Sequence, residues 1–316
     1  MTNNSKVSII IPTYNQENYI STTIGSALSQ DYPNLEIIIS DDNSTDNTQK
    51  IISELLKKDI RIKYFQNSNN LGRVGNYHKA LYEYATGEYV LNLDGDDQLI
   101  DNTFISDAIS LIKKNTEIKL LVACKQLKRK KSLTKLFHKI DKASCEIHGA
   151  DFVYSLENKY RFSHLTTLYR RQDALKIDFY RKNIISTDKE SLLRLALLGD
   201  VIVYNKIVGQ WNDTGKNDSK NQSFHDATEN LIWIKNIFKA LKTKTDVLKA
   251  IFWKIRMKLL YAPFIIKAIK EQEYISISQI VLLFKNRVFI ITIISSIKIL
   301  LDKLFYIKKN EKGNLY

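Results

Sequence analysis

What most limits the fold of this chain is a unit repeated through its first hundred residues. Each unit is a short run of β-branched residues, then a polar cluster, then apolar residues at helical spacing. Val7-Ser8-Ile9-Ile10-Ile11, ended by Pro12, is the first such run and reads as a buried strand. Ile20, Ile24, Ala27 and Leu28 follow at helical spacing. Leu35 to Ile39 is the second run, stopped by Ser40-Asp41-Asp42-Asn43-Ser44-Thr45-Asp46 and followed by a helix with Ile51, Ile52, Leu55 and Leu56 on one side. Ile62 to Phe65 predicts a third strand, Val74 to Ala85 a third helix, and Glu88 to Leu93 a fourth strand that runs into Asp94-Gly95-Asp96-Asp97. Strands alternating with helices predict an α/β fold with a mostly parallel central sheet covered on both faces. Ligands of such sheets lie beyond the carboxyl ends of the strands. Those ends are where Thr13-Tyr14-Asn15, Asp41-Asp42 and Asp94 to Asp97 stand.

The strand ends limit the chemistry. No glycine-rich loop follows the first strand, which excludes a dinucleotide fingerprint and a P-loop. Carboxylates repel a phosphate unless a divalent cation lies between them, and Mg²⁺ or Mn²⁺ is typically held by one or two carboxylates plus substrate phosphates. Asp94, Asp96 and Asp97 suit that need. On the residues alone they suit equally well an Asx-rich turn capping a helix near Asp101 and Asn102. Asp41 and Asp42 carry the same ambiguity, and Asp46 also reads as a helix N-cap. Cys124 and Cys145 are the only cysteines, and the five histidines (His78, His138, His148, His164, His225) show neither HxH nor HExxH spacing. A disulfide scaffold and a zinc hydrolase are thereby excluded. Met1 to Lys6 is polar, with no apolar signal core, and the longest apolar-rich run, Val288 to Ile297, is shorter than the roughly 20 residues of a spanning helix. The expectation is a cytoplasmic protein.

Charge is distributed unevenly. The formal net charge is +14, yet residues 1–100 carry 8 Lys and Arg against 13 Asp and Glu, while residues 229–316 carry 17 against 6. An acidic first third and a basic last quarter point to separate tasks for the two ends.

Four ordered segments resemble the family 2 glycosyltransferases, inverting enzymes of the GT-A fold. Val7 to Asn15 resembles the family's opening strand. Tyr32-Pro33-Asn34 through Asp46 resembles its second strand and nucleotide loop. Asn70-Leu71-Gly72 with Asn76-Tyr77 resembles its third motif, and Gly87 to Asp97 the strand ending in the DxD element. The similarity is strong over about residues 5–100 and continues through Leu168-Tyr169-Arg170-Arg171 and through Thr187-Asp188 before Leu192.

The resemblance implies roles, position by position. Pro12, Thr13 and Tyr14 line the nucleotide pocket with Asp42 and Asn70, and Asp41 accepts from the base, a uracil imide N–H, as an acceptor-only carboxylate can. Arg73, beside the third motif, reaches the diphosphate. Asp94 and Asp96 are the DxD pair on metal and ribose, with Asp97 a further metal ligand and Mn²⁺ or Mg²⁺ the implied ion. Asp188 is the catalytic base, in a position where the family usually has a Glu-Asp pair and this chain has Thr187-Asp188. Taken alone, Asp188 reads as the N-cap of a helix over Glu190 to Leu198. Many members also carry a histidine-containing loop after this helix. Here Gln210 to Ser219 has none, and Asp213 is the substitute it offers. Trp211 is read as stacking on a sugar or simply packing.

Two basic stretches remain. Lys125 to Lys142 is read as a solvated loop and helix face, or as a contact for an anionic membrane or a lipid-diphosphate acceptor. In Leu231 to Lys242, Lys235, Lys239 and Lys242 share one face and Ile234, Ile237, Phe238 and Leu241 another; Ile290, Ile294, Ile297 and Leu301 repeat the pattern. With Trp233, Phe252 and Trp253, such helices suit an anionic lipid interface, a packed helical subdomain or a homo-oligomer contact. The expected organisation is a catalytic domain at residues 1–227 and a basic helical region at 228–316. The expected function is transfer of a sugar from a nucleotide-diphosphate donor, a UDP-sugar, to a growing surface glycan or lipid-linked acceptor. The site would be peripheral on the inner face of the plasma membrane. A nucleotidyltransferase is disfavoured because its Gly- and Arg-rich loop is missing. A non-catalytic membrane-binding protein is disfavoured because Asp41, Asp94, Asp96 and Asp188 stand together. No nucleic-acid-binding motif is present.

Overall fold

The structure is a computed structural model and describes residues 5–130, 132–215 and 223–270. The chain forms two compact units, Met1–Asn183 with Thr187–Gly215, and Ile184–Ser186 with Lys216–Tyr316.

The first unit opens with β1 (Val7–Thr13), α1 (Ile20–Leu28), β2 (Leu35–Asp41), α2 (Thr48–Leu56), β3 (Ile62–Gln66), α3 (Gly72–Lys79) and β4 (Tyr89–Asn92). It continues through β5 (Gln98–Leu99), α4 (Phe104–Ile112), β6 (Ile118–Arg129), β7 (Ser132–Leu136), β8 (Ser144–His148) and α5 (Gly149–Ser155). Then come β9 (Thr167–Arg170), α6 (Arg171–Lys176), α7 (Thr187–Ala196) and β10 (Asp200–Asn212). The strands form one sheet in the order β3-β2-β1-β4-β9-β6-β10-β5, with β7 on β6 and β8 on β10. β3, β2, β1 and β4 are mutually parallel, as β6 and β10 are, and β9 runs antiparallel between β4 and β6. This is the mixed, mostly parallel α/β sheet that the repeated unit predicts.

Every residue of β1 and β2 is buried. That explains their unbroken β-branched runs, since a parallel strand covered on both faces has no solvent side to leave polar. Ile20, Ile24 and Ala27 of α1, Ile52 of α2, and Phe104, Ile105 and Ile109 of α4 join the same core. Register then fixes the functional edge. Thr13 pairs with Asp41, and β4 lies on the other side of β1 with Ile10 opposite Asn92, so three acidic or polar strand ends adjoin.

One polar residue crosses this apolar layer. The Glu36 carboxylate accepts from Ser8 Oγ at 2.6 Å and from the Thr86 backbone N–H at 2.8 Å, and pairs with Lys6 and Lys63 at 2.7 Å each. Burial raises the carboxyl, but Lys6, Lys63, Ser8 and Thr86 together outweigh it and bring it down to about 2. The side chain is thereby satisfied, and it ties β1, β2, β3 and the turn before β4 together.

Two expectations need correction. Among its described residues, Lys125 to Lys142 holds no helix. Lys125 to Arg129 end β6, which folds back on β7 as an antiparallel hairpin with Lys125 opposite Leu136 and Arg129 opposite Ser132. The helix expected over Val74 to Ala85 is α3 followed by a π-helical turn at Ala80–Tyr84.

The second unit contains α8 (Phe224–Glu229), α9 (Ile232–Leu241) and α10 (Val247–Lys270). Ser223 and Asp226 form a reciprocal capping box at the start of α8. Asn230 fastens the Ile184–Ser186 segment into the unit, accepting from Ser186 N at 2.8 Å and donating to Ser186 Oγ at 3.1 Å. Trp233 and Trp253, read from sequence as interfacial aromatics, are fully buried with their rings 6.0 Å apart edge to face. They are the core between α9 and α10. Among the described residues no helix is long and apolar enough to cross a membrane. The amphipathic pattern at Ile290, Ile294, Ile297 and Leu301 lies outside the described residues, as does Lys131.

Glu36→Gln is expected to lower unfolding free energy by about 2 kcal/mol, the scale of hydrogen bonds to a charged group. Because the carboxyl is lower in the folded chain than its ordinary 4.5, its stabilisation is present above that value and fades as pH falls toward about 2. Urea unfolding of wild type and variant at neutral and acid pH should therefore converge at acid pH. An equal gap at both would contradict the assignment.

Candidate functional site

The site is built on strand ends. At the end of β1, Pro12 accepts from Gly95 N at 3.2 Å and Thr13 O from Asp42 N at 2.9 Å, so the first loop grips both later acidic segments. Thr13 Oγ1 is buried without a hydrogen-bond partner among the described residues. Tyr14 is exposed. Asn15 adopts a positive φ of 52° and its side chain accepts from Thr45 N at 2.8 Å. Asp41 is buried; its Oδ1 accepts from Ser44 N at 2.9 Å and Ser44 Oγ at 2.6 Å, and its Oδ2 from Tyr64 OH at 2.8 Å. Asp42 Oδ1 accepts from Asn67 Nδ2 and Leu71 N, each at 2.9 Å, linking the nucleotide-loop segment to the start of α3. There Asn70 Oδ1 accepts from Gly72 N at 2.9 Å. Asp46 is not the cap itself but the residue before it. Its Oδ1 accepts from Thr48 N at 2.9 Å, with Asn47 at the cap position.

The turn after β4 carries the acidic cluster. Thr23 Oγ1 donates to the carbonyls of Gly95 and Asp97 at 2.9 and 2.8 Å, and Asp97 N donates to Asp94 O at 2.9 Å. A Cβ on Gly95 would stand 2.9 Å from Thr13 Oγ1, so the turn needs a glycine to lie this close to β1. From the far end of β10, Asn212 N donates to Asp97 Oδ1 at 3.0 Å and Asn212 Nδ2 to Asp96 O at 2.6 Å. The turn is thus held from α1, β1 and β10.

Asp94 Oδ1 accepts from Tyr77 OH at 2.6 Å, and its Oδ2 lies 3.1 Å from His164 Nε2. The other ring nitrogen, Nδ1, has no hydrogen-bond partner among the described residues and stands 3.9 Å from Asp188 Oδ2. Asp188 lies within the first turn of α7, not at its cap. α7 is anchored by Glu190, fully buried between Arg181 at 2.7 Å and Arg194 at 3.6 Å. The Arg73 guanidinium lies 5.6 Å over the Tyr77 ring. Lys125 Nζ donates to Ser163 Oγ at 3.0 Å.

The electrostatics follow from this packing. Burial opposes ionisation of Asp94, but the His164 charge and hydrogen bond, the Tyr77 hydroxyl and Arg73 hold its carboxyl below the usual range. Asp97 goes the other way: burial first, then repulsion from Asp96 and Asp94, push it well above the usual range. Burial lowers the Lys125 ammonium while Asp97 and Asp188 pull it back up. Burial also works against the His164 cation, and Asp94, with Asp188 and Asp97 behind it, raises it above 6.5 nonetheless. Two carboxylates, Asp94 and Asp188, therefore face one imidazole.

His164, Tyr77 and Lys125 complete the cluster; the sequence sets Tyr77 in the third motif and Lys125 in a basic stretch, but gives neither of them, nor His164, a place beside Asp94 and Asp188. Asp94 and His164 are 70 residues apart, beyond any local spacing rule; only the sheet order, with β9 beside β4, brings them together.

The model of the family described as glycosyl transferase family 2 matches residues 8–180. A curated relative from Campylobacter jejuni, a GalNAc(5)-diNAcBac-PP-undecaprenol beta-1,3-glucosyltransferase, is 34% identical over 190 residues, covering 56% of this chain and 60% of the relative. An Escherichia coli relative, UDP-Glc:alpha-D-GlcNAc-diphosphoundecaprenol beta-1,3-glucosyltransferase WfgD, is 40% identical over 109 residues, 34% of this chain and 42% of the relative. The chain thus matches 60% or less of the length of these curated relatives. Among solved structures, Staphylococcus aureus TarS 1–349 in complex with UDP-GlcNAc aligns with a TM-score of 0.63 at 22% identity, covering 85% of this chain and 74% of that one. The mannosyltransferase PcManGT of Pyrobaculum calidifontis, in complex with GDP-Man and Mn²⁺, aligns at 0.58 and 15% identity over 94% and 88%. These likenesses show that the fold is that of GT-A glycosyltransferases.

The paired carboxylates can be read directly by NMR. Without added divalent cation, the His164 imidazole should titrate above 6.5, and Asp94→Asn should bring it down, because burial then acts with less opposition. A His164 that titrates below the ordinary value, or is indifferent to Asp94→Asn, would contradict this geometry.

Proposed function

The chain belongs to glycosyl transferase family 2, and from that premise we propose that it is an inverting glycosyltransferase. It moves a sugar from a UDP-sugar to a hydroxyl of a lipid-linked or growing surface-glycan acceptor. The observation that carries this reading is the convergence of Asp188 and the Asp94-Gly95-Asp96-Asp97 turn on the two nitrogens of His164. A displacement at an anomeric carbon needs a base on the acceptor side and charge control on the diphosphate side, within one sugar's reach.

In this reading the donor lies over the ends of β1 and β2, with Pro12, Thr13, Tyr14, Asp42 and Asn70 shaping the nucleotide pocket. A carboxylate offers about four acceptor positions. Asp41 uses three, on Ser44 and Tyr64, and the fourth is left for the base N–H. Arg73 offers the diphosphate a cation. The UDP-glucose in the name of the E. coli relative and the UDP-GlcNAc held by TarS support a uridine donor. The undecaprenol diphosphates in the names of both bacterial relatives support a lipid-linked acceptor.

Asp188 takes the proton of the acceptor hydroxyl as its oxygen attacks, the C1–oxygen bond to the diphosphate breaks, and configuration inverts. Against burial, the His164 charge and hydrogen bond hold the Asp94 carboxyl low, while its other ring nitrogen faces Asp188 at 3.9 Å. Lys125 adds a positive charge that interacts with Asp97 and Asp188.

A divalent cation fits these residues on limited terms. Among the described residues no three His, Cys, Asp or Glu side chains are arranged to enclose an ion, and both Asp94 oxygens are already engaged. Asp96 and Asp97, with Asp94 behind them, present hard oxygen donors whose mutual repulsion a cation relieves. Mn²⁺ or Mg²⁺ would take the rest of its shell from phosphate and water. Bound there, it would supply charge neutralisation at the departing diphosphate. The Mn²⁺ seen with PcManGT supports that choice.

Asp188→Asn is expected to lower transfer by about 10³-fold, the scale of general-base catalysis, while UDP binding measured by calorimetry stays within about twofold. Wild-type turnover in that variant would remove Asp188 as the base.

A further inference from the structure

α10 inverts the usual rule for a surface helix. Leu248, Ile251, Phe252, Ile255 and Leu259 recur at spacings of three, one, three and four along it, and all are exposed. At 100° per residue they occupy one continuous stripe. Ala250, Trp253 and Met257 lie on the opposite side and are fully buried, so the packing of α10 within its unit is already satisfied on that side. Phe252 is 65% and Leu248 64% exposed, while Lys254, Arg256 and Lys258 on the same helix are only partly exposed. The most water-averse side chains face outward and the long cationic ones lie along the flanks.

Those cations are placed in order. Lys249 and Arg256 border the stripe on one edge, Lys254 and Lys258 on the other, and Val247 to Lys270 contains no acidic residue. Lys254 holds its ammonium 4.3 Å from the Phe238 ring centroid. An apolar stripe with cations on both edges is the arrangement that suits a helix lying in a lipid–water boundary. The stripe enters the acyl region and the long side chains reach back to the headgroups. The cations rule out a spanning orientation. Positive charge on both edges complements an anionic surface, and two such stripes facing each other would repel along their edges.

We propose that the outer face of α10 is a docking surface for an anionic lipid membrane, with the helix axis parallel to the bilayer. This assigns the contact to Leu248, Ile251, Phe252, Ile255 and Leu259, in place of the buried Trp233 and Trp253. It stands apart from the transfer reaction, since binding to a vesicle needs neither donor nor acceptor.

The test is co-sedimentation of the full chain with vesicles of phosphatidylglycerol and phosphatidylcholine, against vesicles of phosphatidylcholine alone. Wild type should pellet with the anionic vesicles and be released by salt. Phe252→Glu with Leu259→Glu should weaken binding by more than about tenfold, and the milder Phe252→Ser by about threefold to tenfold, with circular dichroism unchanged. Lys249→Gln should cost about fivefold on anionic vesicles and nothing on neutral ones. Wild type that does not pellet, or folded variants that pellet like wild type, would overturn the proposal. So would a wild-type oligomer that dissociates in the Phe252 variants while vesicle binding persists, which would make the stripe a contact between copies or with residues 271–316.

Discussion

Carboxylates do not sit together in a buried place without something to hold them there, and the first unit is arranged around that constraint. Taking a carboxylate out of water costs several kcal/mol unless charge and hydrogen bonds replace the lost hydration. Asp94 is supplied by Tyr77 and His164, and Asp97 by the backbone of Asn212. Asp188 has the His164 edge and the pull of Lys125. The balance is incomplete at Asp97, whose carboxyl is pushed up by its neighbours. His164 joins the two sides, because one ring faces both Asp94 and Asp188.

The fold supplies this arrangement through register. β1, β2 and β4 are parallel and adjacent, so their polar ends meet on one edge. β9 lies next to β4 and brings the His164 turn beside Asp94. Much of this was legible in the amino-acid order. Val7 to Ile11 and Leu35 to Ile39 could only be strands buried on both faces, and the clusters at Asp41 and Asp94 had to follow them. Contacts made across the sheet were not legible. His164 carries no local signal, and its partner is 70 residues away. Lys125 looked like one more lysine in a basic stretch, because alternation over so few residues does not separate a hairpin strand from a helix edge when both are polar. Trp233 and Trp253 show the same limit in the second unit. An amphipathic pattern locates an apolar face, but it does not say which apolar residues turn inward, and these two meet each other.

The two units differ in the charge they carry. The first hundred residues, with more Asp and Glu than Lys and Arg, hold the acidic strand ends; the cations of α10 belong to the second unit. A net +14 over the whole chain therefore describes neither part. It combines a site that concentrates negative charge for chemistry with a helix that presents positive charge beside an apolar stripe.

The central claim is that Asp188 and the Asp94 to Asp97 turn serve one reaction. The most direct measurement is release of nucleoside diphosphate from a panel of nucleotide sugars, with and without an undecaprenol-diphosphate-linked acceptor and with Mn²⁺ or chelator. Acceptor-dependent release of UDP from one UDP-sugar is expected, lost with chelator, with a product whose anomeric proton shows inversion. Absence of release from every donor in the presence of acceptor and Mn²⁺, or a product of retained configuration, would contradict it.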